Sequence, residues 1–301
     1  MSEFIKIKSI SELHRTLGIG KPKHPAISLV YTKDVDLTAD LFNKKYLWDF
    51  YMISMKYENC DLNYGRNYYD FEEGTLIFTS PGQVVEATTQ PAGANENGWA
   101  LYFHPDLIQQ SALGSKIKSY TFFSYAFHEA LHLSEDEKNT VNRCVAAIEQ
   151  EYRQNIDKHS QTVIVSNLEL LLNYCNRFYD RQFYTRSSHQ QGVVEKIEEL
   201  LLAYFNSDQS LQQGIPSVKY CAEQVNLSPN YLSDLLKKET GKNTQEHIHY
   251  HLIEKAKNLL LTSNASVNEI AYDLGFEYPQ YFGNLFKKKV GMSPNKFRQV
   301  N

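Results

Sequence analysis

Five consecutive residues, His128-Glu129-Ala130-Leu131-His132, carry the spacing of a hydrolytic zinc site. Two histidines one helical turn apart can share a metal ion, with the intervening glutamate as general base. That chemistry needs the pentapeptide inside a long helix, with a third ligand nearby. Here Leu133 and Ser134 follow at once, and Ser134 with Glu137 spells a capping box. A helix therefore starts where the zinc motif needs one to continue, and a chance match is the favoured reading. A zinc metallohydrolase using His128, Glu129 and His132 is one alternative function for the chain, and a signalling adaptor that does not bind DNA is another. The cysteines Cys60, Cys144, Cys175 and Cys221 form no Cys-x-x-Cys pair. They suit a reducing cytoplasm better than a disulfide framework or structural zinc.

A second set of side chains recurs. Val218-Lys-Tyr-Cys-Ala-Glu-Gln-Val-Asn-Leu227 reads against Val267-Asn-Glu-Ile-Ala-Tyr-Asp-Leu-Gly-Phe276, and Tyr231–Gly241 reads against Tyr281–Gly291. The offset slips by one residue in the turn between, where insertions are tolerated. Each copy holds the parts of a helix–turn–helix. Ala222 or Ala271 lets a second helix cross closely. Asn226 or Gly275 suits a left-handed turn, and Leu227 or Phe276 plugs the angle. The second helices open at Pro229 and Pro279; Ser228 is a good N-cap and Tyr278 a poor one. Gly241 and Gly291 close them. Between the copies, Asn243 and Glu246 open a helix expected to reach about Thr262, some ~28 Å long at ~1.5 Å per residue. Major-groove faces on one side of a DNA duplex repeat every ~34 Å, so a rod of this length can hold two recognition helices one DNA turn apart.

Those elements sit in a chain of 301 residues, enough for about two domains. The net charge is −4, so nucleic-acid binding has to rest on local arrangement. From Gln190 onward, basic and acidic residues number twelve each. No signal peptide or long apolar stretch is seen, and a cytoplasmic location is expected. Between Ile27 and Phe103 the chain is rich in aromatic and β-branched residues, broken at Asn63–Gly65, Glu73–Gly74, Pro81–Gly82 and Pro91–Gly93. A small β-barrel or sandwich is expected. Helices follow from Ser134 to about Tyr152 and across Leu168, Leu171, Leu172, Cys175 and Phe178. The polar stretch Thr185 to Gly192 reads as a turn-prone linker. His247 and His251 share one face of the connecting helix, with His249 off that face. A surface or DNA-facing role suits them better than a metal.

Taken together, residues from about Val193 to Asn301 resemble the DNA-binding domain of the AraC/XylS family. The likeness includes both motifs, the connecting helix and the closing Gly291-Met-Ser-Pro-Asn-Lys-Phe-Arg298. It implies a sequence-specific transcription regulator, not an enzyme, acting on double-stranded DNA as a homodimer, with no cofactor. It implies that Asn230, Ser233 and Asp234, and in the second copy Gln280, Gly283 and Asn284, lie where base edges are read. Asp234 would prefer a cytosine amino group, and Asn284 or Gln280 an adenine. Ser228, Tyr231, Lys237, Lys238, Tyr281, Lys287 and Lys288 are the expected phosphate contacts.

The implied fold is α+β multidomain: a cupin-like β-barrel followed by helices, then an all-α domain of two helix–turn–helix units. Its divisions are a sensor domain at 1–133, a helical dimerisation segment at 134–184, a linker at 185–192 and the DNA-binding domain at 193–301. Gly74–Gly82 and Phe103–Leu107 resemble the strand–turn and exit of such a barrel. No His-x-His lies between Pro25 and Phe103, so no metal is expected there. The aromatic interior could take a small organic effector or be a packed core, and the sequence leaves both open.

Overall fold

The computed structural model describes residues 4–35, 44–56, 74–87, 98–154 and 156–300. Cys60 and the turns expected at 63–65, at Glu73 and at 91–93 lie outside them. The chain divides into two compact units, Met1–Arg186 and Ser187–Asn301.

In the first unit the described strands form two sheets rather than a closed barrel. Strands β1 (Ile5–Ile7), β3 (Lys44–Trp48) and β6 (Val84–Ala87) make a small sheet in the order β1-β3-β6. The larger sheet has the order β2-β7-β4-β5-β8, all antiparallel. Its strands are β2 (Ile27–Tyr31), β4 (Tyr51–Lys56), β5 (Gly74–Thr79), β7 (Trp99–Phe103) and β8 (Leu131–Leu133). Side chains alternate between the faces of a strand. On one face Val30, Met52 and Tyr102 join Ile7, Tyr46 and Trp48 of the small sheet, with Ile10 and Leu13 of helix α1 (Ile10–Thr16). Rings of Trp48, Phe50 and Tyr102 meet at 5.7–5.9 Å, so the space between the sheets is occupied by aromatic packing.

The opposite face carries Tyr51, Phe78 and Phe103. These stack on Phe122 and Phe123, which follow the short helices α2 (Pro105–Ile108) and α3 (Ala112–Lys116). Pro105 opens α2 after His104, as the exit motif suggested. Pro81–Gly82 forms the expected turn, with Gly82 at φ 78°.

Helix α4 (Glu135–Arg153) begins with the anticipated capping box. The Ser134 hydroxyl accepts the Glu137 N–H at 3.3 Å, and the Glu137 carboxylate accepts the Ser134 N–H at 3.0 Å. Val141, Cys144 and Ile148 bury their stripe against Ile164, Leu168, Leu171 and Cys175 of helix α5 (Ser160–Thr185). The turn-prone reading of residues 187–192 is corrected: they are helical, the start of α6 (Ser187–Asn206). Polar side chains disfavour a buried face more than they disfavour a helix, so a polar run does not by itself end one.

The zinc-like motif resolves in the same way. Phe127–Glu129 is a single 3₁₀ turn, and Leu131–Leu133 is strand β8 paired with β5, so His128 and His132 share no helical face. Glu129 is 1% exposed, and its carboxylate accepts the Ala126 N–H at 2.6 Å. The outer edge of β8 is satisfied by α5. Gln182 accepts the His132 N–H at 2.7 Å and donates to the Ala130 carbonyl at 3.1 Å. Tyr179 donates to the Glu129 carbonyl at 3.2 Å. These residues hold an otherwise open sheet edge. Among the described residues no group of three or more His, Cys, Asp or Glu is placed to hold a metal ion, and no helix is long and apolar enough to cross a membrane.

Burial pushes the thiols of Cys144 and Cys175 up, and that of Cys221 up to about 11. The thiolate is the reacting species. Alkylation of the folded protein near neutral pH should therefore spare these three cysteines, and all should react once denaturant is added. Mass spectrometry of the labelled peptides reads this directly; labelling of any of the three in the folded chain would contradict their burial.

Candidate nucleic-acid interface

The second unit is helical throughout, and its repeat is visible in the backbone. Helices α8 (Val218–Gln224) and α9 (Pro229–Thr240) form the first motif; α11 (Val267–Asp273) and α12 (Pro279–Val290) form the second. Ala222 and Ala271 are both fully buried. The turns close identically: the Leu227 N–H donates to the Ala222 carbonyl and the Phe276 N–H to the Ala271 carbonyl, each at 3.0 Å. Asn226 at φ 55° and Gly275 at φ 88° take the left-handed conformation that the turn demands. Gly241 and Gly291 end α9 and α12 in the same conformation.

Helix α10 (Thr244–Thr262) joins the motifs. Its N-terminus carries the Asn243–Glu246 capping box, with N–H to oxygen distances of 2.9 Å in both directions. Its nineteen residues span about 28 Å. Ile248, Leu252, Ile253, Ala256 and Leu260 are buried, and α10 packs on α6, α8, α9, α11 and α13 (Pro294–Val300). The last of these is tied by Arg298. Its guanidinium donates to the Leu260 carbonyl at 3.0 Å and the Ala265 carbonyl at 2.7 Å, fastening the C-terminal helix to the end of α10.

The linker-helix histidines do not face outward as a pair. His247 and His251 flank one carboxylate: Glu198 of α6 meets His247 Nδ1 and His251 Nε2, each at 2.6 Å. His247 Nε2 also lies 2.8 Å from the Thr240 hydroxyl at the end of α9. A neutral imidazole can donate from one nitrogen and accept at the other, so this chain links α6, α10 and α9. Residues four apart on a helix face one way, and here that way is inward. The partner, Glu198, lies 49 residues from His247 and left no local signal. His249 is half-buried, and burial, then Lys289 and Lys288, hold its imidazole below the ordinary value.

The expected contact residues divide between two environments. On α12, Gln280, Tyr281, Asn284, Lys287 and Lys288 are exposed, and Phe282 and Phe286 face the core. Gly283 lies between them; a Cβ built there meets nothing within 4 Å among the described residues. On α9, Asn230, Lys237 and Lys238 are exposed and Asp234 is half-buried. Ser233 turns inward, its hydroxyl donating to that of buried Thr244 at 3.1 Å. Ser228 is half-buried and its hydroxyl accepts the Tyr231 N–H at 3.3 Å, as an N-cap. Tyr231 is a correction. It is 3% exposed, whereas its counterpart Tyr281 is 58% exposed. Helix α9 has α6 and α10 alongside, but α12 packs on α11 and α13, so the same residue type is covered in one copy and open in the other.

The two halves also meet backbone to backbone. Ser210, in helix α7 (Gln209–Gln213), donates its hydroxyl to the Asp273 carbonyl at 2.8 Å. A Cβ on Gly275 would stand 2.6 Å from both the Ser210 carbonyl oxygen and the Gly214 carbonyl carbon. Only glycine fits.

Residues 221–299 match a family model described as a helix-turn-helix domain. Among curated proteins, the chain is 36% identical over 114 residues to the uncharacterized transcriptional regulatory protein YesN of Bacillus subtilis, covering 37% of this chain and 29% of that protein. It is 35% identical over 79 residues to the xylose operon regulatory protein of Escherichia coli, covering 26% of this chain and 20% of that protein. It is 31% identical over 163 residues to the transcriptional activator RhaS of Escherichia coli, covering 53% of each. The chain thus spans from a fifth to about half the length of these relatives. Among solved structures, the C-terminal domain of a yesN response regulator from Fusobacterium nucleatum is 32% identical, covers 36% of this chain and 98% of that one, and superposes with a TM-score of 0.32.

Two measurements test the geometry of this unit. Gly275→Ala combines a left-handed φ with backbone overlap and should destabilise by more than about 3 kcal/mol. Gly283→Ala fills open space in a helix and should stabilise by about 0.5–1 kcal/mol. Denaturant unfolding separates the two, and equal effects would contradict both placements. The second concerns acid. Partial burial raises the Glu198 carboxyl, but the hydrogen bonds and charges of His251 and His247 outweigh it and hold the group below 4.5. The unfolded chain therefore takes up this proton first as pH falls. The contribution of Glu198 is complete above the unfolded value and is lost as pH drops through the folded one. Glu198→Gln should flatten the acid limb of stability as pH falls below 4.5, and an unchanged limb would show that the carboxylate is not stabilised by its neighbours.

Proposed function

We propose that this chain, whose carboxy-terminal segment is a helix-turn-helix domain of the AraC/XylS type, is a transcription regulator reading adjacent major-groove segments with α9 and α12. The observation that carries the reading is the duplicated turn. Two helix pairs with matching turn hydrogen bonds flank one well-anchored nineteen-residue helix, and each second helix has exposed polar residues and lysines. Asn230, Gln280 and Asn284 read base edges, with Asp234 beside them on α9 and Gly283 on α12. Lys237, Lys238, Lys287 and Lys288 hold phosphates together with Tyr281 and the backbone N–H groups near the helix starts. The net neutrality of the unit confines the favourable field to these helix ends.

The first unit acts as a cupin-like sensor with a helical dimerisation segment, and the protein works in the cytoplasm as a homodimer. Val163, Leu170 and Tyr184 are exposed on α5 at multiples of seven residues. Such a stripe suits helix pairing between two copies.

The test is selection of genomic fragments by the purified protein, alongside the Gln280→Ala plus Asn284→Ala double variant. The wild type should enrich a defined sequence and bind it with affinity that falls steeply with salt. The double variant should keep weak, salt-dependent binding without the sequence preference. Binding that is absent, or insensitive to salt, would sink the regulator reading; unchanged preference in the variant would remove these side chains from base reading.

A further inference from the structure

The two copies differ at one place where the difference has a structural cost. Ser228 caps α9 through its hydroxyl. In α12 that place holds Tyr278, and the Tyr281 N–H turns instead to the Tyr278 carbonyl at 3.0 Å. A tyrosine side chain is a poor acceptor for these N–H groups, so α12 forgoes the stabilisation that a short polar residue brings. Burial does not compensate. Tyr278 is 52% exposed, and it meets the 58% exposed Tyr281 edge to face, with ring centroids 5.9 Å apart. Each ring restrains the other, while most of both remains open beside exposed Gln280 and Asn284. A rigid aromatic pair at the mouth of a recognition helix suits a surface that offers flat apolar faces and strong acceptors together. A deoxyribose–phosphate strand is such a surface.

We propose that Tyr278 and Tyr281 form an aromatic clamp on the sugar–phosphate strand bordering the groove segment read by α12. Their ring faces lie on sugars and their hydroxyls donate to phosphate oxygens. This rests on reading α12 as a recognition helix, and it gives a binding role to Tyr278, which the repeat marks only as a poor cap. Such contacts position the protein without reading sequence. They are also uncharged, so they release no counterions and leave the salt slope alone.

The test uses the full chain with Tyr278→Ser, Tyr278→Phe and Lys287→Ala. Each is measured by fluorescence anisotropy on a wild-type-selected duplex and a scrambled one across a salt series, with melting temperatures. Tyr278→Ser should melt higher than the wild type, because it restores a cap, yet lose about tenfold in affinity on both duplexes with the slope unchanged. Tyr278→Phe should fall between, and Lys287→Ala should reduce the slope by about one. A Tyr278→Ser variant that melts higher and binds as tightly as the wild type would make Tyr278 a passive surface residue. Loss confined to the selected duplex would make it a base reader, and loss with a lower melting temperature would make it a helix support; each overturns the clamp. A wild type that binds neither duplex would overturn the regulator reading and the clamp with it.

Discussion

The second helix–turn–helix is fixed in place by an approach of backbone to backbone at Gly275. No Cβ fits between that residue and Ser210 or Gly214, and the Ser210 hydroxyl reaches the Asp273 carbonyl from the same side. The turn that sets the angle between α11 and α12 is thus also the surface on which α7 rests. Interiors this close-packed deform in steps rather than continuously. Helix α12 therefore takes its orientation from the first half of the unit as well as from its own motif. Arg298 completes the restraint, because it joins the last helix to the Leu260 carbonyl in the last turn of α10 and to the Ala265 carbonyl just beyond it.

With orientation fixed, the side chains decide what α9 and α12 can each offer. Helix α9 is the more deeply seated of the two. Ser233 is engaged with Thr244, Tyr231 lies in the core, and the Thr240 hydroxyl meets a histidine of α10. Helix α12 keeps Gln280, Tyr281 and Asn284 open. The unit is neutral overall, so long-range attraction to a polyanion is weak and the lysines at the helix ends act locally. Those lysines also complement the helix dipoles, and the two roles are compatible.

The first unit shows how a catalytic-looking motif can be structural. His132 sits in a strand, Glu129 accepts a backbone N–H in a 3₁₀ turn, and the sheet edge they border is satisfied by Gln182 and Tyr179 of α5. A buried glutamine that donates and accepts along an open edge does what another strand would do. The space between the two sheets is filled by Trp48, Phe50, Met52 and Tyr102. Between the packed core and the effector site that the sequence left open, these side chains favour packing where they lie.

Local chemistry was legible in the chain itself. The capping boxes at Ser134 and Asn243, the left-handed turns at Asn226 and Gly275, the glycines closing α9 and α12 and the nineteen-residue helix all follow from residue type at fixed spacing. They depend on interactions within a few residues, and the repeat states the turns and the closing glycines twice. What lay beyond the sequence depended on partners distant along the chain. Glu198 meets His247 across 49 residues, and Gln182 meets His132 across 50. Tyr231 and Tyr281 stand at matching places in the two copies, yet one is buried and the other open. Periodicity can say that a residue lies on a face; only the neighbouring helices, α6 and α10 in one case and α11 and α13 in the other, decide whether that face meets protein or solvent.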